Sequence, residues 1–192
     1  MKKKKQNGVK SVIIVLILIL LVVGYYFYLS NKTKEQREVK TITMVDEALL
    51  RNLDRDYPPS PKEVVKYYAE LTKCFYDGGY TDEQLTQLAA KSRELFDEEL
   101  KSQQSDEAYL NSLKLDIENY AKDKIVISSY STSSSVDVDY WKDQGREYAS
   151  LYCMYNIRQG SILMGSNHEF VLRRDDDGHW KILGWQLVAK ED

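Results

Sequence analysis

The sequence contains few of the residues from which catalytic and metal centres are usually built. It has two cysteines and two histidines among 192 residues, and Cys74, Cys153, His168 and His179 lack the close spacing of metal-ligand motifs. We therefore expect no metal and no cofactor. A disulfide between Cys74 and Cys153 is one interpretation for a domain outside the cell, and two buried free thiols are the other.

Positive charge is scarce beyond the first forty residues. Residues 1–40 hold nine of the 27 Lys and Arg residues and two of the 30 Asp and Glu residues, so residues 41–192 have 18 basic and 28 acidic residues, a net charge of −10. Such a domain repels phosphate backbones, and we expect no nucleic-acid partner. The basic N-terminal end is better explained by a membrane surface.

A long apolar run near the N-terminus predicts a membrane anchor. Residues 12–29 read VIIVLILILLVVGYYFYL, eighteen residues without a charge, and a helix of that length spans about 27 Å, close to the hydrocarbon thickness. The aromatic residues 25–28 suit the headgroup boundary, and they stand where a cleaved signal peptide would have small residues. We therefore predict a basic tail over residues 1–11 and a transmembrane helix in the lipid bilayer from Val12 to Leu29.

The lysines before this run predict its orientation. Five lysines precede residue 12, whereas the basic residues just after the run are mixed with two acidic ones. Because positive charge favours the cytoplasmic side, we expect a single-pass protein of the cell membrane with a cytoplasmic N-terminus. The C-terminal domain would then be extracytoplasmic.

The helices of the domain are predicted by their start signals. Residues 30–59 are assigned to a linker with a short juxtamembrane helix, and residues 60–190 to the domain. Ser60 and Thr81 each begin a capping-box pattern. The spacing of apolar residues predicts a third helix from about Ser105 to Ala121.

After Lys122 the pattern changes to an alternation of β-branched and aromatic residues, which indicates antiparallel strands. Helices followed by such a meander are typical of the α+β class. The predicted fold is three helices packed on a curved antiparallel sheet of about five strands, a cone-like roll. The strands are predicted at residues 124–130, 136–141, 147–158, 168–174 and 180–189.

A motif near the end of the chain carries a family resemblance. Residues 169–185, EFVLRRDDDGHWKILGW, join a strand, an acidic-glycine turn and a Trp-Lys-Ile strand. This motif resembles the nuclear transport factor 2-like superfamily, also called SnoaL-like. The helix with Tyr67 and Tyr68, which ends at residues 77–79 (Asp-Gly-Gly), is similar to the first helix of that family. The resemblance covers about residues 60–189 and implies helices packed into the concave face of a curved sheet.

The resemblance restricts function only weakly, since the family includes isomerases, dehydratases, transport adaptors and scaffold domains. Two anchored groups share the layout: assembly subunits of conjugative and type IV secretion channels, and anchored proteins of unassigned role in Gram-positive bacteria. The enzymes of the family use an Asp or His in the cone as a base. The residues of those types here are Asp137, Asp139, His168 and Glu169.

These four residues do not form a predicted catalytic pair. In the strand predicted at residues 136–141, Val136, Val138 and Tyr140 would face inward and leave both aspartates in water. His168 would lie in an exposed loop at a strand entrance. We therefore expect no catalytic residues, because nothing supplies a positioned acid and base.

The acidic turn at residues 175–178, Asp-Asp-Asp-Gly, has the residue types of a calcium site. A calcium loop needs further oxygen ligands at fixed spacing and usually a late Glu, which this tight turn lacks. We expect a solvated hairpin turn.

The third predicted strand has an aromatic second face. Its core face carries Ala149, Leu151, Cys153, Tyr155 and Ile157. On the opposite face, Tyr148, Tyr152 and Met154 belong to residue types that are enriched where proteins meet partners. We predict that this outer sheet face binds a protein partner or a second copy of the chain; packing of these side chains against neighbouring strands is the alternative.

A second binding hypothesis concerns the inside of the cone. A small apolar ligand would fit there among Tyr68, Phe75 and Leu151, unless the chain's own side chains fill the space. The sequence thus favours a non-catalytic, extracytoplasmic binding or assembly domain. The alternative is a secretion-channel assembly subunit, and the third interpretation is a SnoaL-type enzyme or ligand-binding domain.

Overall fold

The computed structural model describes Val23, Tyr25 and residues 42–188. The chain divides into two compact units, residues 1–42 and residues 43–192. In the first unit, Val23 and Tyr25 are helical and exposed. The second unit contains all the elements described below.

The predicted fold class is wrong in its helices. No helix among the described residues is long and apolar enough to cross a membrane. The predicted span from Val12 to Leu29 lies outside the described residues, apart from Val23 and Tyr25. Residues 42–188 form five α-helices instead of three, followed by a five-stranded antiparallel sheet.

Each helix of the second unit begins at a residue whose side chain accepts a backbone N–H of the first turn, which satisfies one of the donors left open at a helix start. These capping residues are Thr43, Ser60, Thr81, Asp97 and Ser105. The helices are α1 (Met44–Leu50), α2 (Pro61–Asp77), α3 (Asp82–Glu94), α4 (Glu98–Ser102) and α5 (Asp106–Lys122).

Helix α1 belongs to the folded domain, although the sequence assigned it to a linker. Val45 and Ala48 are buried in the core. The hydroxyl group of Tyr67 on α2 donates a 2.7 Å hydrogen bond to the carbonyl oxygen of Ala48. The compact unit therefore begins at Thr43, seventeen residues before the predicted boundary.

The strands are β1 (Ile125–Thr132), β2 (Asp139–Asp143), β3 (Arg146–Gln159), β4 (Ile162–Arg174) and β5 (Trp180–Leu187). All pairings are antiparallel in the order β1-β3-β4-β5, and β2 pairs with the first part of β3 beside β1. The strand predicted from residue 136 begins only at Asp139, because Val136 lies in a 3-10 turn and is 88% exposed. β4 begins six residues before its predicted start, since it continues the hairpin with β3.

The chain between α3 and α4 extends the sheet beyond β5. The Ile182 amide donates to the carbonyl oxygen of Leu95, and the Asp97 amide donates to the carbonyl oxygen of Ile182, both at 2.8 Å. This short parallel contact fixes the start of α4 against the sheet.

The core lies between α2 and the inner face of the sheet. The predicted core face of β3 is confirmed, because Ala149, Leu151, Cys153 and Tyr155 are buried and Ile157 is half-buried. Their cross-strand neighbours on β4 share this face.

Candidate functional site

A cavity of about 720 Å³ lies between the helices and the inner face of the sheet. One wall is aromatic: the ring of Tyr68 on α2 lies 5.7 Å from Phe96, 5.7 Å from Phe170 and 5.3 Å from Trp185, between ring centroids. These edge and tilted contacts hold the rings in place. The chain's own side chains therefore do not fill the interior.

Two of the three residues predicted to line the cone do so. Tyr68 and Phe75 lie on the cavity wall. Leu151 has the predicted orientation, but it is 1% exposed and lies in the core, paired with Phe170 of β4. The alternation along β3 predicted the correct face for Leu151, but it did not predict that Leu151 lies in the core instead of on the cavity wall.

His168 is a cavity residue and not the loop residue that the sequence predicted. It lies within β4 opposite Cys153, and its Nε2 atom is 2.9 Å from the hydroxyl oxygen of Ser166. Its ring meets the ring of Tyr155 edge-on at 5.3 Å. Burial lowers the pKa of His168, so its imidazole is uncharged at neutral pH.

Tyr155 brings a polar group into the wall between the cavity and the core. Its hydroxyl is buried and has no hydrogen-bond partner of ordinary geometry among the described residues. Burial raises the pKa of Tyr155 well above its usual value, with smaller effects from Cys153 and Thr72 nearby. The hydroxyl therefore stays protonated and can donate a hydrogen bond.

Arg93 belongs to the wall of the cavity, but its charge is already compensated by other residues of the chain. It forms an ion pair with Asp106, and its Nη2 atom donates to the carbonyl oxygens of Lys101 at 3.1 Å and Gln104 at 3.0 Å. These bonds hold α3 against the α4–α5 connection. Arg93 is therefore a structural cation and is not open to an anionic ligand.

The exposed lining residues show where the cavity opens. Gln103, Gln104 and Asp116 lie on the helical side, and Leu187 lies on the sheet side. Ser166 is half-buried next to this opening. The mouth is thus polar toward α5 and less polar toward the sheet.

The other acidic candidates lie outside the cavity. Asp137 and Asp139 are exposed, as expected. Glu169 pairs in register with Tyr152 on the outer face and accepts a 2.9 Å hydrogen bond from the side-chain amide of Gln186. Only His168 of the four candidates lines the cavity.

The acidic turn between β4 and β5 brings together three groups that could ligate a cation, the side chains of Asp175, Asp177 and His179, whose ligand atoms lie within 4.8 Å of one another. The geometry is already explained by the turn, since the His179 amide donates to Asp175 Oδ1 at 2.7 Å and its ring packs on Tyr57 at 4.3 Å. Three ligands are also fewer than calcium takes.

The outer face of β3 is only partly open. The rings of Tyr148 and Trp141 stack at 5.5 Å and 11°. Met154 packs over Gly165, where an added Cβ would lie 3.1 Å from the methionine sulfur. Tyr152 is 42% exposed. Intramolecular packing therefore explains Tyr148 and Met154 in part, and Tyr152 is the open member of the predicted surface.

Both cysteines are buried free thiols in the structure. Burial raises the pKa of Cys74 and that of Cys153 to about 11 each. Such thiols are predominantly protonated at neutral pH and behave as small apolar side chains.

Comparison with curated proteins finds no match. A family model with the description "Domain of unknown function (DUF6715)" matches residues 1–185. The match includes the apolar run at residues 12–29 as well as the α+β domain, with the cavity residues from Tyr68 to Trp185. The chain therefore belongs to the DUF6715 family.

Proposed function

We propose that this protein is a non-catalytic binding protein, attached to a membrane, whose domain takes up a small molecule in the cavity between helices and sheet. The observation that carries the proposal is the cavity itself. Its volume of about 720 Å³ lies within the range of roughly 300–1,000 Å³ that is typical of ligand sites. Its aromatic wall and a few polar groups match the usual composition of such sites.

Binding accounts for the polar groups better than catalysis does. The hydrogen bond that His168 makes among the described residues goes to Ser166. A histidine that activates a serine is normally oriented by a third group, and no such bond is present among the described residues. His168 and Ser166 bond to each other in the wall, which leaves the aromatic side chains to contact the ligand.

Attachment to a membrane is supported by the sequence of the N-terminal unit. Residues 12–29 are uncharged, and lysines precede them; the cytoplasmic end is the N-terminus, and the domain is extracytoplasmic. Alkaline extraction of membranes and protease treatment of intact cells test this. We expect the full chain in the membrane fraction and the domain to be digested from outside. A soluble product that starts near residue 30 would contradict attachment.

Ligand uptake is tested by narrowing the mouth. Ser112 is an exposed lining residue on α5, and its neighbour Asn111 is exposed but does not line the cavity. The full chain is reconstituted in lipid nanodiscs, and binding of the neutral fluorescent probe phenylnaphthylamine is measured against empty nanodiscs. Ser112→Trp should weaken binding about tenfold or more, since a bulky ring excludes the probe.

The matched control is Asn111→Trp, which adds the same ring to the same helix. It should change the affinity by less than about twofold. Equal affinity of the Ser112→Trp variant and the unsubstituted chain, with the fold intact by circular dichroism, would refute uptake in this cavity.

A second candidate function is self-association through the outer sheet face. Trp141 and Tyr152 are 41% and 42% exposed there, and exposed aromatic residues are favoured at interfaces. Tyr152→Ser should reduce chemical cross-linking between two copies in the membrane. Tyr140→Ser, which removes another exposed tyrosine, is the control. No cross-linked dimer in the unsubstituted chain would remove this candidate.

A further inference from the structure

The inner face of the β3–β4 hairpin carries exposed apolar side chains beyond the cavity. Ile157 lines the cavity, and it is directly paired with Met164. Residues that are directly paired share a face, and Ile162 shares it too, two positions from Met164. Met164 is 44% exposed and Ile162 is 57% exposed.

Leu187 on β5 adds an exposed apolar side chain on the sheet side of the mouth. It lines the cavity, is paired with His168 and is nevertheless 67% exposed. We call Ile157, Ile162, Met164 and Leu187 the apolar margin. The opposite side of the mouth is polar. Large aliphatic side chains that are exposed beside an open cavity are typical of surfaces that receive an apolar group.

We infer that the ligand of the cavity is an uncharged or zwitterionic amphiphile whose hydrocarbon chain extends from the cavity onto the apolar margin. This inference rests on the proposed uptake of a ligand. The aromatic wall receives the buried part of the chain, and the margin covers the part that the cavity does not hold. The polar head group lies in solvent beyond the margin.

The charges near the mouth disfavour an anionic ligand. Asp116 is exposed there, Arg93 is neutralised by Asp106, and residues 41–192 carry a net charge of −10. An anionic head group would be repelled by this net negative charge. An uncharged or zwitterionic head group carries no such cost.

The length of the margin gives a measurable consequence. From Ser166 at the mouth to Ile162 is four residues of strand, or about 13 Å. Each methylene group that is removed from water strengthens binding by up to about fourfold. Affinity should therefore rise steadily with chain length past the length that the cavity alone accommodates.

The experiment uses the full chain in nanodiscs and alkyl glucosides of six, eight, ten and twelve carbons, all below their micellar concentrations. Each displaces phenylnaphthylamine, and partition into empty nanodiscs is subtracted. We expect the affinity to rise about twofold or more for each added methylene group up to twelve carbons.

Substitutions test whether the apolar margin, and not the hairpin as a whole, contributes to binding. The double variant Ile162→Ser, Met164→Ser should weaken binding of the twelve-carbon glucoside about tenfold and leave the six-carbon glucoside unchanged. Leu163 is the matched control, since it is 71% exposed on the same hairpin but points to the opposite face. Leu163→Ser should leave both affinities unchanged.

The outcomes distinguish this inference from the proposed function. If Ser112→Trp weakens binding of phenylnaphthylamine but the chain length of the glucoside does not change its affinity, the inference of an amphiphilic ligand is refuted. The proposed ligand uptake then stands. An equal loss of affinity for the twelve-carbon glucoside in the Leu163→Ser variant would also refute the inference, because both faces of the hairpin would then contribute to binding. If the probe does not bind at all, both proposals fail.

Discussion

Arg173 of β4 and Asp97, the residue before α4, form a bidentate ion pair that is almost wholly buried. Arg173 Nε donates to Asp97 Oδ2 at 2.9 Å, and Arg173 Nη2 contacts Asp97 Oδ1. The hydrogen bonds that Arg173 donates to Asp97 raise the pKa of Arg173 further above its already high value. Asp97 also accepts the Glu99 amide at 2.9 Å, so one carboxylate both caps α4 and ties it to the sheet.

Removal of this carboxylate should destabilise the domain strongly. Asp97→Ala removes the buried partner of the Arg173 guanidinium and leaves only the exposed Glu99 beside it, and we expect a loss of about 3–5 kcal/mol in the free energy of unfolding. Urea unfolding followed by tryptophan fluorescence measures it. Glu99→Ala is the control: Glu99 also contacts Arg173, at 3.2 Å, but is 65% exposed, and its loss should cost less than about 1 kcal/mol.

Removal of the hydrogen bond from Tyr67 to Ala48 should have a smaller effect on stability, and its local consequence can be measured in α1. The Ala48 carbonyl lies near the end of α1, where helix carbonyls lack partners within the helix. Tyr67→Phe should lower the free energy of unfolding by about 1 kcal/mol and speed amide exchange in α1. Tyr152→Phe removes an exposed hydroxyl and should change stability by less than about 0.5 kcal/mol. Unchanged exchange in α1 would contradict the role of this bond.

His168 predicts a dependence of stability on pH. Its pKa in the folded state is lowered by burial, so the unfolded chain binds a proton more readily. The stability from the uncharged imidazole is fully present above about pH 6.5 and is lost as the pH falls through the folded-state pKa. His168→Gln should remove this part of the acid sensitivity below about pH 6.5, and His179→Gln should preserve it. Identical pH profiles for unsubstituted chain and His168→Gln would contradict the prediction.

The two thiols should resist alkylation until the domain unfolds. With a pKa of about 11, about one thiol in a thousand is ionised at pH 8, and Cys74 and Cys153 are also buried. Mass spectrometry after iodoacetamide should show no modification of the native protein and two modifications in urea without reductant. Two modifications that appear only after reduction would reveal a disulfide instead.

Local chemistry was readable from the sequence. The capping residues Ser60 and Thr81 begin helices because their hydroxyls satisfy nearby backbone donors. The start of α4 at Asp97 was not predicted. Its five residues are too few for a periodic pattern, and its position depends on contacts with distant residues of β4 and β5.

The candidate site was only partly predictable for the same reason. The alternation along β3 predicted the inward face correctly, and Tyr68 and Phe75 lie on the cavity wall. His168 was misplaced because β4 begins earlier than its sequence pattern indicates, at Ile162. The volume of the cavity depends on how far α5 stands from the sheet, which no local pattern encodes.

The contact of Leu95 and Asp97 with Ile182 has a consequence for aggregation. A border strand offers unpaired amide and carbonyl groups to any neighbouring polypeptide, and this is a common start of fibril growth. Here both backbone groups of Ile182 are already bonded within the molecule. The middle of β5 thus cannot recruit a foreign strand unless the Arg173–Asp97 pair and its neighbourhood come apart first.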